Sequence, residues 1–199
     1  MIKFNIKNCR IKVSFWFFAA LSILSLFDKS GMGVCALLAA LIHESGHLLM
    51  MYYIVKNPPR SVSITPAGII IEADELGNGK GWAAVALSGS IANFIFAFVM
   101  FFFIFNFRFS IFNLLSANLF IGLINLIPAK GLDGGEILFR ILIRRMKIRH
   151  AELVSMVVSL LCAVPAIAAG LYIMSQNPGN FTLLTVGLWL IAGMIREYV

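Results

Sequence analysis

The sequence predicts an all-α integral membrane protein with about six transmembrane helices, a small β-hairpin between the second and third helices, and a broken fourth helix. The composition is the first observation: of 199 residues, 60% are hydrophobic and only 13% are charged, which is too apolar for a soluble domain of this length. The second observation is that the basic residues, which give a net charge of +7, flank long apolar stretches and form no single face. This charge is therefore a topology signal and does not indicate a nucleic-acid partner.

Six apolar stretches predict the membrane-spanning helices: residues 13–27, 32–55, 82–105, 110–127, 153–174 and 181–195. The first would cover only about 22 Å as a helix, so flanking residues must extend it. With the N-terminus inside, thirteen basic residues fall in cytoplasmic segments and only Lys29 and Arg108 fall outside. The positive-inside rule therefore predicts a multi-pass cell-membrane protein, one domain over residues 1–199, with both termini cytoplasmic.

A connection over residues 60–72 predicts the hairpin. Val62 and Ile64 alternate with serines, residues 65–68 suit a type I turn with Pro66 second and Gly68 fourth, and β-branched residues 69–71 supply the return strand. The alternative is a plain connector. Since two strands alone are marginally stable, we expect the hairpin to lie against the helices or at the membrane interface.

The most specific motif lies inside the second span and consists of His43, Glu44, Ser45, Gly46 and His47. Residues four apart share a helix face, so His43 and His47 can aim ring nitrogens at one zinc ion while Glu44 reaches a water activated by the metal. A structural polar cluster or a chance match would explain the same residues. However, ionisable groups inside a membrane are costly, and two of the three histidines in the chain lie here.

The interrupted fourth segment, residues 128–135, contains a proline and three glycines before an apolar stretch resumes at residues 136–140. Two histidines leave a tetrahedral zinc short of one protein ligand, and Asp133 in this segment meets that demand. Irregular backbone at membrane depth is tolerated where protein or a watery cavity satisfies it. The alternative is that Asp133 is an N-cap or turn residue, which an Asp-Gly-Gly sequence also suits.

These residues resemble the site-2 protease family of intramembrane zinc metalloproteases. Residues 43–47 are similar to the family's HExGH helix, and residues 125–135 are similar to its NxxPxxxLDGG segment, whose aspartate is the third zinc ligand. Residues 89–93 resemble a third family element. The resemblance covers mainly residues 32–140, and the compact size is like that of bacterial members such as the sporulation protease that processes pro-sigma-K. Ser90, Lys130 and Glu136 depart from the family pattern.

The resemblance implies hydrolysis of peptide bonds within the membrane by a catalytic core at about residues 32–140. It implies one zinc per chain held by His43, His47 and Asp133, with Glu44 as the catalytic base. Asn93 and Asn125 would lie near the zinc and support the substrate or the oxyanion, although Asn93 also suits an interhelical hydrogen bond. The expected partners are the lipid bilayer, a membrane protein substrate such as a transcription-factor precursor or an anti-sigma factor, and regulatory membrane proteins.

Two functions of other classes remain open at the level of sequence. In an ion or proton-coupled transporter, intramembrane His, Glu and Asp carry ions and the broken helix forms a midplane site. No inverted repeat in the sequence supports that reading. In a catalytically silent scaffold, the same helices bind membrane partners and the loss of Glu44 matters little.

Overall fold

The computed structural model describes residues 1–6, 9–28, 30–56, 58–65, 68–72, 81–103, 110–176 and 182–196. The chain divides into two compact units, Met1–Leu123 and Ile124–Val199. The expectation of one domain over residues 1–199 stays a prediction. Turn residues Pro66 and Ala67 and the predicted outer residues Lys29 and Arg108 lie outside the described residues.

Four helices are described in the first unit. They are α1 (Phe15–Phe27), α2 (Met32–Leu49), which continues as a π-helical turn over Met50–Ile54, α3 (Gly81–Phe103) and α4 (Ser110–Asn125), whose end extends into the second unit. Asp28 caps α2, because its Oδ2 accepts a hydrogen bond from the Val34 backbone N–H at 3.0 Å. That hydrogen bond is the main cause of the lowered pKa of Asp28. The negative carboxylate lies at the N-terminal end of α2, where the positive end of the helix dipole stabilises it.

Packing between α2 and α3 depends on glycine. A Cβ added at Gly46 would lie 2.5 Å from the Ser88 carbonyl oxygen and 2.8 Å from the Ala92 Cβ. No real Cβ tolerates such distances, so any larger residue at position 46 would force the two helices apart. The glycine of the histidine motif is thus explained by helix packing.

The same unit holds a four-stranded sheet in the order β1 (Ile2–Ile6), β2 (Cys9–Val13), β3 (Ser61–Thr65) and β4 (Gly68–Glu72). The predicted hairpin is confirmed, since β3 and β4 pair antiparallel with Thr65 opposite Gly68. The N-terminal hairpin of β1 and β2 is a feature that the sequence analysis missed. It joins the other hairpin through parallel pairing of β2 with β3, in which Val13 lies opposite Ile64. The helix predicted from residue 13 therefore begins at Phe15, because Val13 belongs to β2.

The second unit begins at Ile124, in the last turn of α4, and then contains the predicted interruption. It continues with α5 (Asp133–Ile143), α6 (Ile148–Gln176) and α7 (Thr182–Arg196). A small core of Ala129, Leu132, Ala163 and Leu190 joins the interrupted segment to α6 and α7. The segment is also held by hydrogen bonds: the Lys130 backbone N–H donates to Ser159 Oγ at 2.8 Å, and Ser159 Oγ donates to the Ser155 carbonyl at 2.7 Å.

Three helical stretches among the described residues are long and apolar enough to cross a membrane: Met32–Ile54, Gly81–Phe102 and Ile148–Gln176. They coincide with the second, third and fifth predicted spans. The helices at the other three positions are shorter, with α1 having 13 residues, α4 having 16 and α7 having 15. The protein is therefore a mostly helical membrane protein with a small sheet, and the number of six spans stays a prediction.

Candidate metal centre

Two buried imidazoles converge on the inner face of α2. The side chains of His43 and His47 are only 4% and 8% exposed. Their Nε2 atoms lie 3.1 Å apart, with the ring planes at 84° to each other. The helical spacing of four residues therefore brings two potential ligand atoms to one point, as the sequence predicts.

The tautomer of His47 is set by α3. Nδ1 of His47 lies 2.7 Å from the Val85 carbonyl oxygen, which can only accept, so Nδ1 carries the proton and donates it. Ser88 Oγ donates to the same carbonyl at 2.6 Å and lies 3.5 Å from Nδ1. With its proton on Nδ1, the neutral ring presents the Nε2 lone pair towards His43. A second hydrogen bond of this type usually orients metal-ligating histidines.

Space for the two rings is provided by Gly89 on α3. A Cβ at this position would lie 2.5 Å from His47 Nε2 and 2.7 Å from His43 Nε2. Any side chain other than hydrogen would therefore occupy the point at which the two nitrogens meet. Gly89, the Val85 carbonyl and the Ser88 hydroxyl all lie close to the histidine pair within this unit.

The histidine pair fits a zinc ion. Zinc binds imidazole nitrogen at about 2.0 to 2.1 Å in tetrahedral geometry, which places two nitrogen ligands roughly 3.3 Å apart. The observed separation of 3.1 Å is close to that value. Two imidazoles, one of which has its tautomer fixed by a hydrogen bond, are also ligands that suit zinc.

Glu44 follows His43 on α2 and is half-buried. Successive residues are rotated by roughly 100° around a helix, so the Glu44 side chain leaves α2 next to the face that carries the two imidazoles. The neighbouring Ser45 is exposed and donates to the Leu41 carbonyl at 2.7 Å. Glu44 and Ser45 thus differ in burial although they are adjacent in sequence.

Asp133 lies in the second unit, where it is the first residue of α5 and is half-buried. The backbone reaches it through Gly131, with a φ of 85°, and extended Leu132. The two glycines that follow are buried because α5 packs directly on the interrupted backbone. A Cβ at Gly134 would overlap the carbonyls of residues 126 and 127, and one at Gly135 would overlap that of residue 129. The Asp-Gly-Gly sequence is therefore required by this close approach.

The two asparagines are placed differently. Asn93 is fully buried on α3, and its Nδ2 donates to the Asn118 carbonyl of α4 at 3.4 Å. That contact is the interhelical hydrogen bond that the sequence allowed as an alternative. Its Oδ1 is buried with no hydrogen-bond partner among the described residues. Asn125 is the last residue of α4 and is half-buried. A role for either residue in binding substrate stays a prediction.

Sequence reasoning noted Ser88 and Gly89 only as small residues of the third span and missed Val85. The carbonyl of Val85 carries no sequence signal, because every residue has one. Ser88 and Gly89 are small residues in an apolar helix, which indicates close helix packing but not the element that approaches. Which residue of one helix lies against a given residue of another helix is known only from the folded structure.

Comparison with known proteins extends these observations. No family model matches the chain. Stage IV sporulation protein FB of Bacillus subtilis (strain 168) is 27% identical over 190 residues, which make up 92% of this chain but only 63% of that protein. The solved structure of a site-2 protease from Methanocaldococcus jannaschii has the same fold, with a TM-score of 0.72 at 23% identity over 98% of this chain and 94% of that one. The resemblance to the site-2 protease family that the sequence motifs indicate is therefore confirmed.

Proposed function

We propose that this chain is an intramembrane zinc metalloprotease that hydrolyses peptide bonds of membrane-embedded or membrane-associated proteins. The observation that carries the proposal is the buried histidine pair, with Nε2 atoms 3.1 Å apart inside an apolar helix and with the tautomer of His47 set by Val85. Buried ionisable groups within a membrane-spanning helix are costly and require a function. The fold shared with an archaeal site-2 protease supports the same class of activity.

In the proposed ligand set, His43, His47 and Asp133 would each give one ligand atom to a single zinc ion. Two imidazoles and one carboxylate leave the fourth position of a tetrahedral ion for water or substrate, as in hydrolytic zinc sites. Zinc bound there would lower the pKa of water to about 7 and polarise the scissile carbonyl. The support for Asp133 is its ligand chemistry and its place in the segment that resembles the family's aspartate motif.

The chain's own side chains would supply the proton transfers. Glu44 would take a proton from the attacking water and then give it to the leaving amine, which is the role of the glutamate in an HExxH helix. The amides of Asn93 and Asn125 would support the substrate or the negative charge that develops on the scissile oxygen. For Asn93 this role competes with its hydrogen bond to Asn118.

A substrate helix must unwind before attack, because its carbonyls are engaged in helical hydrogen bonds. Pairing with a strand edge is one way to hold the unwound segment extended. Since β3 is paired on both sides, β4 offers the outer edge of this hairpin in the four-stranded sheet. Substrates would then be membrane proteins whose helices have weak stretches that contain Gly or Asn. Examples are a transcription-factor precursor or an anti-sigma factor. Regulatory membrane proteins would control the cleavage.

The substitution Glu44→Gln tests the proposal. The amide keeps the shape of the side chain but cannot act as a base, so proteolysis should fall by roughly 10² to 10⁴ fold while zinc content is unchanged. Cells that carry the variant should accumulate one or a few uncut membrane proteins that copurify with it, as measured by quantitative mass spectrometry of membranes.

The adjacent Ser45→Ala is a matched control, because Ser45 is exposed on the same helix turn and should tolerate the change. A Glu44→Gln variant that keeps zinc and still cleaves would remove Glu44 from the mechanism. A wild-type protein that moves ions across the membrane and cuts no membrane protein would favour the transporter.

A further inference from the structure

Within the strands of the N-terminal hairpin, β1 and β2, the described apolar and basic side chains lie on opposite faces. Cross-strand partners share a face, and the register places Ile2 opposite Val13, Lys3 opposite Lys12 and Phe4 opposite Ile11. Hence one side of the hairpin is apolar and the other is basic. The apolar face consists of Ile2, Phe4, Cys9, Ile11 and Val13, and the basic face consists of Lys3, Asn5, Arg10 and Lys12.

The apolar face is only partly covered by protein. Val13 at its inner end is 9% exposed, whereas Ile2 and Phe4 on the outer strand are 54% and 45% exposed. At the start of α1, Phe15 and Trp16 are also exposed, at 70% and 73%. Large apolar side chains that remain uncovered indicate a surface that meets another phase or another molecule.

The covalent connections place this surface at the boundary of the membrane. Helix α1 begins two residues after β2, and the Ser14 N–H donates to the Ile64 carbonyl at 2.9 Å, which fixes the join. Strand β3 follows closely on the candidate span Met32–Ile54. At the other end, α3 starts beside the end of that span, since a Cβ at Gly81 would touch Val55. The sheet therefore lies at the level where spans leave the bilayer, which is also where tryptophan is enriched.

The basic face matches anionic lipid headgroups. Lys3 and Lys12 are directly opposite each other, and like charges in that position destabilise a hairpin unless anions lie near them. Among the described residues, Glu72 offers a negative charge to this face, since its Oε2 lies 3.9 Å from Lys12 Nζ. Phosphate groups of the interface would screen the remaining repulsion.

We infer that the N-terminal hairpin is a membrane-interface anchor, with its apolar face inserted at the headgroup and acyl-chain boundary and its basic face held by anionic phospholipid. Such insertion of an amphipathic element reaches about 5 to 10 Å into this boundary, which leaves the opposite face among the headgroups. The anchor fixes β2, and through parallel pairing β2 fixes β3 of the second hairpin. This inference does not depend on the proposed proteolysis.

Site-specific photo-crosslinking of the full chain tests the anchor. The photoreactive residue p-benzoylphenylalanine is placed at Phe4 or, as the control one position away on the basic face, at Lys3. The protein is then irradiated in nanodiscs made of equal parts phosphatidylcholine and phosphatidylglycerol. We expect several-fold more acyl-chain adduct from position 4 than from position 3. Equal yields from the two positions, or crosslinks from position 4 to a second copy of the chain, would overturn the inference.

The identity of the lipid adducts tests the charge recognition separately. A basic residue near an anionic surface contributes about 1 kcal/mol, so phosphatidylglycerol should be enriched roughly fivefold per basic residue among the adducts. The double substitution Lys3→Gln with Arg10→Gln, which alters two exposed side chains and leaves Lys12 in place, should lower the enrichment to roughly fivefold or less while the adducts themselves persist. Enrichment at the wild-type level after this change would overturn the role of the basic face.

Discussion

At the scale of single residues, the proposed zinc site depends on a glycine as much as on its ligands. Gly89→Ala would place a Cβ 2.5 Å from His47 Nε2 and 2.7 Å from His43 Nε2, so the two imidazoles must move apart. We expect zinc affinity to fall by roughly 10- to 100-fold, the usual effect of changing residues that orient ligands. The measurement is zinc content after dialysis against a graded chelator.

The control for this change is Gly81→Ala on the same helix. Its Cβ would lie 3.2 Å from a terminal carbon of Val55, which can give way, and the three nearest atoms all belong to Val55 and not to a proposed metal ligand. Zinc affinity should stay at the wild-type value. An unaltered affinity in the Gly89 variant would show that the nitrogens do not meet at a metal ion.

Loss of a proposed ligand gives a second prediction at this scale. His43→Ala, His47→Ala and Asp133→Ala should each lower zinc content sharply from one ion per chain, because two remaining ligands hold zinc weakly. Elemental analysis of purified protein measures this content. Glu136→Gln, which alters an exposed carboxylate paired with Arg140 on the same helix as Asp133, should leave it unchanged. Full occupancy in the Asp133 variant would remove that residue from the ligand set.

At the scale of elements, one serine of α6 holds the interrupted segment before α5. Ser159 Oγ accepts from the Lys130 N–H and donates to the Ser155 carbonyl, and it is fully buried. Ser159→Ala would leave the buried Lys130 N–H without this acceptor, which costs about 1 to 3 kcal/mol. We expect the free energy of unfolding in detergent micelles to fall by that amount, as measured by denaturant titration.

Ser175→Ala is the matched control, since Ser175 lies on the same helix and donates to the Tyr172 carbonyl at an exposed position. Water can replace that hydrogen bond, so stability should change little. Equal effects from the two substitutions would mean that the bond between Lys130 and Ser159 does not hold the segment.

At the scale of the whole molecule, the distribution of basic residues predicts six spans with both termini in the cytoplasm. Reporter fusions that are active on only one side of the membrane, placed after Val199 and within residues 176–180, should report the cytoplasm and the exterior respectively. A C-terminal reporter on the exterior would require an odd number of spans.

The sequence alone determined much about this protein, because those features depend on local pattern. Hydropathy located the spans that coincide with α2, α3 and α6, and the helical repeat placed His43 and His47 on one face. Turn chemistry located the hairpin of β3 and β4. The alternation of Ile2, Lys3, Phe4 and Asn5 was also a local signal for β1. It was not used, because the basic residues before the first span were interpreted as a topology signal.

Only the tertiary structure decided the features that join distant parts of the chain. The parallel pairing of β2 with β3 links residues about fifty positions apart, and the carbonyl of Val85 selects the tautomer of His47 across two helices. Gly89 has a meaning only once α3 lies against α2. Periodicity shows which face of an element is buried, whereas the partner on that face depends on packing between elements that are far apart in sequence.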